Sequence, residues 1–62
     1  MLTKANQKQV QTLQAYATIG NTGAVARVLS FMIRASLRKS EQTELKQIAA
    51  QFNVANHPEF LI

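Results

Sequence analysis

Apolar residues recur at three- and four-residue intervals over most of this 62-residue chain, the spacing at which side chains share one face of a helix. Thr3 is a suitable N-cap for a first helix over residues 4–18, in which Val10, Leu13 and Ala17 form a thin apolar stripe while Lys4, Lys8, Gln11 and Gln14 stay polar. Tyr16 and Ile19 widen the stripe, and Gly20 supplies a left-handed residue to finish the helix. Residues 20–23 read as a turn in which Asn21 or Thr22 caps the next helix.

The second helix is predicted over residues 23–39, since neither proline nor glycine follows Gly23 there. On a helical wheel Arg27, Ser30, Arg34 and Arg38 share an arc of about 80°. Val25, Val28, Leu29, Phe31, Met32, Ile33 and Leu37 take nearly all the remainder, so this helix needs partners around most of its girth. A third helix over residues 41–52 has Ser40 as its expected N-cap and Glu41 and Glu44 in its first turn, where the helix dipole favours carboxylates. Leu45, Ile48, Ala49 and Phe52 follow at i, i+3, i+4 and i+7, and Asn53 is a reasonable stop. Pro58 is placed to open one last helical turn carrying Phe60, Leu61 and Ile62, which we expect to be docked.

These elements predict an all-α fold, a compact three-helix bundle with a short C-terminal turn, forming a single domain over residues 1–62. Val25, Leu29, Met32 and Ile33 are its expected centre, joined by Leu13, Leu45, Ile48 and Phe52. A chain of this length buries only about 60% of its unfolded surface, and with no cysteine it has no disulfide to compensate. Self-association is one remedy, and a homodimer using Val28, Phe31 or the Phe60-Leu61-Ile62 tail is expected. Absence of cysteine, of a signal-like apolar segment near the start and of any run long enough to span a bilayer predicts a cytoplasmic protein that does not enter membranes.

Charge sharpens the picture. Residues 1–40 hold six cations, Lys4, Lys8, Arg27, Arg34, Arg38 and Lys39, and no acid, whereas residues 41–62 hold Lys46 against Glu41, Glu44 and Glu59. The basic stripe of Arg27, Arg34 and Arg38, extended by Lys39, Lys4 and Lys8, suits the phosphate backbone of DNA or RNA, because guanidinium groups grip phosphate oxygens in a fork. A solvated helix face and an acidic protein partner are the other readings of the same residues.

The segment Gly20-Asn21-Thr22-Gly23-Ala24-Val25-Ala26-Arg27-Val28-Leu29-Ser30-Phe31, followed by Arg34-Ala35-Ser36-Leu37-Arg38-Lys39, resembles the C-terminal helix-turn-helix of Fis-type DNA-binding proteins over about a third of the chain. The resemblance implies a break near Ser30 and a recognition helix on which Arg34, Ser36, Arg38 and Lys39 lie on or near the element facing DNA. Ser30 stands where that family has a corner glycine, and one additional residue separates Phe31 from Arg34. The unbroken wheel instead predicts one continuous helix over residues 23–39.

Catalytic chemistry finds no constellation. His57 has no cysteine, second histidine or aspartate to join it and reads as a solvent-exposed loop residue; no metal or cofactor is expected. No base neighbours Ser30, Ser36 or Ser40 in sequence, and neither glycine belongs to a phosphate loop. The chain is therefore expected not to be an enzyme. Two roles remain: a nucleic-acid-associated accessory or regulatory protein using the arginine stripe, and a protein-interaction module docking through the apolar surface of the second helix or the C-terminal tail.

Overall fold

In a computed structural model, which describes residues 2–62, three helices run α1 (Lys4–Thr18), α2 (Thr22–Ala35) and α3 (Lys39–Gln51). The all-α bundle expected from periodicity is what forms. Helix α2 is its middle layer: it packs against both α1 and α3, which make no close backbone approach to each other.

The helix ends follow from local chemistry. The Thr3 hydroxyl accepts from the Asn6 amide at 3.2 Å and starts α1. At the other end Gly20 takes φ 81°, its amide donates to Ala17 O and the Asn21 amide donates to Tyr16 O, so the last carbonyls are satisfied as the chain reverses. Asn21 then caps α2, its side-chain oxygen accepting from the Ala24 amide at 3.3 Å. The end of α3 repeats the device with Asn53 at φ 63°: the Asn53 amide donates to Ala50 O and the Val54 amide to Ala49 O.

Helix α2 passes through Ser30 without a break and ends at Ala35, four residues before the expected Lys39. Its end is set by side chains that offer the backbone other partners. Gln42 Nε2 donates to Ser36 O at 2.9 Å, and the Ser36 hydroxyl lies within reach of Arg38 O and Glu41 Oε1. Consequently Leu37, Arg38 and Lys39 leave the second helix. The N-cap position of α3 is held by extended Arg38 rather than Ser40, with no side-chain capping bond, and α3 spans residues 39–51 rather than 41–52.

The core comprises Leu13, Val25, Ala26, Leu29, Met32, Ile33, Leu45, Ala49 and Val54. The expected centre on α2 is present with Leu13 and Leu45, while Ile48 and Phe52 are half-buried flanks rather than centre. Val54 was not expected; it follows the left-handed Asn53, and its packing under the end of α3 is the apolar contact that commonly accompanies such a stop. Beyond it the chain makes two successive turns, with His57 N–H to Val54 O and Phe60 N–H to His57 O, instead of a final helical turn.

Leu29 is wholly buried on the central helix. Leu29→Ala is expected to cost about 3 kcal/mol, against a total of roughly 3–9 kcal/mol for a chain of this size. Urea unfolding should show a midpoint lowered by a third or more, and an unchanged midpoint would remove α2 from the centre of the core.

Candidate functional site

The antiparallel packing sorts the charges along the molecule. No Lys, Arg, Asp or Glu lies between Gln9 and Ala26 or between Gln47 and Pro58, and these stretches form the end at which α1 turns into α2 and α3 finishes. His57 belongs to this uncharged end, close to Gly23 and half-buried rather than solvent-exposed; its Nδ1 accepts from the Glu59 amide at 3.0 Å. At the opposite end meet the start of α1, the finish of α2 and the start of α3, and there Lys4, Arg34, Arg38 and Lys39 are all exposed, with Lys8 one turn along α1.

Glu41 joins the elements of the charged end. Its Oε2 accepts from the Thr3 amide at 2.9 Å and from Asn6 Nδ2 at 2.8 Å, and its Oε1 lies 3.5 Å from the Ser36 hydroxyl. The residue is 4% exposed. The Thr3 amide first, then the Asn6 side chain, and to a lesser extent Ser36 and the Arg38 charge, hold its carboxyl below the ordinary value of 4.5 despite the opposing effect of burial. Sequence showed only an acid near a helix start, which the dipole alone explains; three partners separated by up to 38 residues leave no local signature.

The arginine stripe is partly dismantled. Arg27, Ser30 and Arg34 share a face of α2, whereas Arg38 and Lys39 belong to the start of α3. Along that face lies the C-terminal segment. Arg27 Nη2 meets Glu59 Oε1 at 2.9 Å, Arg34 Nη2 donates to Leu61 O at 2.8 Å, and between them the buried Ser30 hydroxyl accepts from the Leu61 amide at 2.9 Å. Ser30 also donates to Ala26 O at 2.8 Å, with Glu59 O at 3.3 Å. The Arg27–Glu59 pair is well exposed and contributes about 0–1 kcal/mol. The segment is therefore held mainly by Ser30 and by Phe60, which packs on the core, while Leu61 and Ile62 remain more than half exposed.

Two apolar side chains stand out at the charged end. Phe31 is 73% exposed and Leu37 100% exposed, and both line a groove of about 380 Å³ with Met32, Ala35, Thr3, Asn6, Ser36, Glu41 and Arg38. Leu37 was expected on the apolar wheel of α2; the early end of that helix is what releases it. Val28, by contrast, is half-buried against the core. Lys4 and Lys8 border a second, shallower hollow of about 430 Å³ formed by α1 residues alone.

Among the described residues no group of His, Cys, Asp and Glu is arranged to hold a metal ion, and no helix is long and apolar enough to cross a membrane. Every buried side-chain nitrogen and oxygen among them has a hydrogen-bond partner, so none is left aimed at a ligand. Comparison with protein-family models, with curated proteins and with solved structures finds no match to this chain.

Because the carboxyl of Glu41 is depressed in the folded state, its stabilising contribution is complete above about pH 4.5 and is lost as pH falls through the lowered folded value. Glu41→Gln should lower the urea midpoint at neutral pH and flatten its acid limb. An acid limb as steep as that of the parent would show that another group carries it. Ser30→Ala removes the acceptor of the Leu61 amide at a cost of about 1 kcal/mol, and should raise the hydrogen-exchange rate of Leu61 while protection within the three helices is kept. Unaltered exchange at Leu61 would show that the hydroxyl does not hold the segment.

Proposed function

We propose that this chain is a non-enzymatic protein-interaction module whose contact surface is the groove at the charged end. The observation that carries this reading is the pair Phe31 and Leu37, large exposed apolar side chains that line the same groove. Exposed apolar patches rimmed by polar groups are characteristic of interaction sites. The absence of cysteine fits a reducing interior, and the reading invokes neither cofactor nor metal.

A second reading, attachment to a nucleic-acid backbone, draws support from Lys4, Lys8, Arg34, Arg38 and Lys39 near one end. It is the weaker of the two because Arg27 is engaged by Glu59 and one nitrogen of Arg34 by Leu61 O, which shortens the stripe. Of the surface expected to form a homodimer, Phe31, Leu61 and Ile62 are exposed, whereas Val28 and Phe60 are half-buried against the core. The flanking helices and the C-terminal segment already cover Val25, Ala26, Leu29, Ser30, Met32 and Ile33, leaving Phe31 as the large apolar residue of α2 that needs a cover.

The test is retention of proteins by the immobilised chain from a nuclease-treated extract of the cells that encode it, compared with the Phe31→Ser/Leu37→Ser variant. Specific proteins held by the parent and released by the double substitution are the expected result. Identical retention by both defeats the groove. Binding of a labelled duplex that collapses between about 50 and about 200 mM salt, without dependence on Phe31 or Leu37, would transfer the function to the cations.

A further inference from the structure

Building on the groove as a protein-binding surface, we infer that its occupant is the apolar face of an acidic amphipathic helix. Three features of the charged end converge on that chemistry. The first is the shape and composition of the floor. Phe31, Met32, Ala35 and Leu37 form an apolar trough between the start of α1 and the α2–α3 turn, and the described residues contain no strand whose edge would accept an extended peptide. An extended segment laid on such a floor would find no ladder for its backbone amides and carbonyls. A helix satisfies its own backbone and presents apolar side chains at i, i+3, i+4 and i+7.

The second feature is charge. Arg38 lines the groove, and Lys4 and Lys39 directly follow the lining residues Thr3 and Arg38 in sequence, all three side chains exposed. The acid of the groove, Glu41, is buried and bound by Thr3 and Asn6. The rim is thus cationic, and carboxylates flanking a partner's apolar stripe would both be attracted and set in register. The third feature is the start of α3, where the N-cap residue Arg38 makes no side-chain capping bond and the first-turn carboxylate of Glu41 is turned instead to Thr3 and Asn6. A carboxylate from the partner would meet that helix end with the favourable sign of the dipole.

A second copy of the chain fits less well. A two-fold contact through this groove brings like surfaces together, so Arg34, Arg38 and Lys39 of one copy approach their counterparts. Each copy carries a net charge of +4, and of its three acids Glu41 is buried and Glu59 is paired with Arg27. Nucleic acid matches the rim but leaves Phe31 and Leu37 without a role in backbone contact.

The experiment is anisotropy of a fluorescein-labelled peptide of about 20 residues, with leucines at helical spacing flanked by glutamates, titrated with the full chain. A sister peptide carries lysine in place of every glutamate. The glutamate peptide should bind the parent and lose about tenfold or more with Phe31→Ser/Leu37→Ser. Circular dichroism verifies folding, and Leu37→Ser alone, at a fully exposed position, should weaken binding in the same direction. Arg38→Glu/Lys39→Glu should reverse the preference, rejecting the glutamate peptide and accepting the lysine one.

Failure of the glutamate peptide to bind, equal binding of both peptides, or indifference to Phe31 and Leu37 each overturns the inference. So does a stable dimer in light scattering that the double substitution dissolves, or a duplex whose binding depends on Phe31 and Leu37. If extract proteins are still retained through Phe31 and Leu37 while the glutamate peptide is ignored, the partner's chemistry is wrong and the module reading survives. If both signals are absent, both are lost.

Discussion

Covering helix α2 is the constraint on which the rest of this structure depends. Its apolar residues occupy most of its circumference, and two neighbouring helices whose backbones make no close approach, joined only where Glu41 reaches Thr3 and Asn6, leave a strip between them. In a chain of 62 residues without disulfides, an uncovered strip of that kind is a substantial fraction of the available stabilisation. The C-terminal segment closes part of it. Phe60 adds apolar cover, and Ser30, otherwise a buried hydroxyl in an apolar helix, becomes the point at which that segment is fastened.

That solution redirects the arginines. On a bare α2, Arg27, Ser30 and Arg34 would form a polar stripe facing solvent; with the C-terminal segment laid along it, the same residues bind a carboxylate and a carbonyl of their own chain. The cations left for other partners are those at the end where the three helices meet. Glu41 makes this end a defined surface, because its buried carboxylate ties the start of α1 to the α2–α3 turn. Unlike an exposed ion pair, a buried carboxylate accepting two well-made hydrogen bonds fixes relative positions, and loss of either donor leaves a charge without its solvation.

The groove owes its existence to the same turn. Had α2 continued to Lys39, Leu37 would have stayed on the wheel with Leu29 and Ile33 and Arg38 with Arg34. Ending the helix at Ala35 exposes Leu37 completely, and it lines the same groove as Phe31. The exposed leucine supplies part of the apolar floor on which the proposed function rests.

The sequence by itself determined the three helices, the order in which they pack and most of the core. These follow from periodicity and from caps whose chemistry is local: Thr3, Gly20, Asn21 and Asn53 each act on backbone groups within a few residues. It also announced the segregation of charge. Tertiary structure decided where α2 ends, since no proline or glycine marks Ala35 and the Ser36 partners Glu41 and Gln42, five and six residues on, belong to the next helix. It decided as well that Ser30 is a buried fastening point, that Arg27 and Arg34 serve their own chain, and that Phe31 and Leu37 share one groove. The contacts of Ser30, Arg27 and Arg34 with the C-terminal segment join residues 27 to 32 positions apart, and a one-dimensional pattern carries no distance between them until the helices have packed.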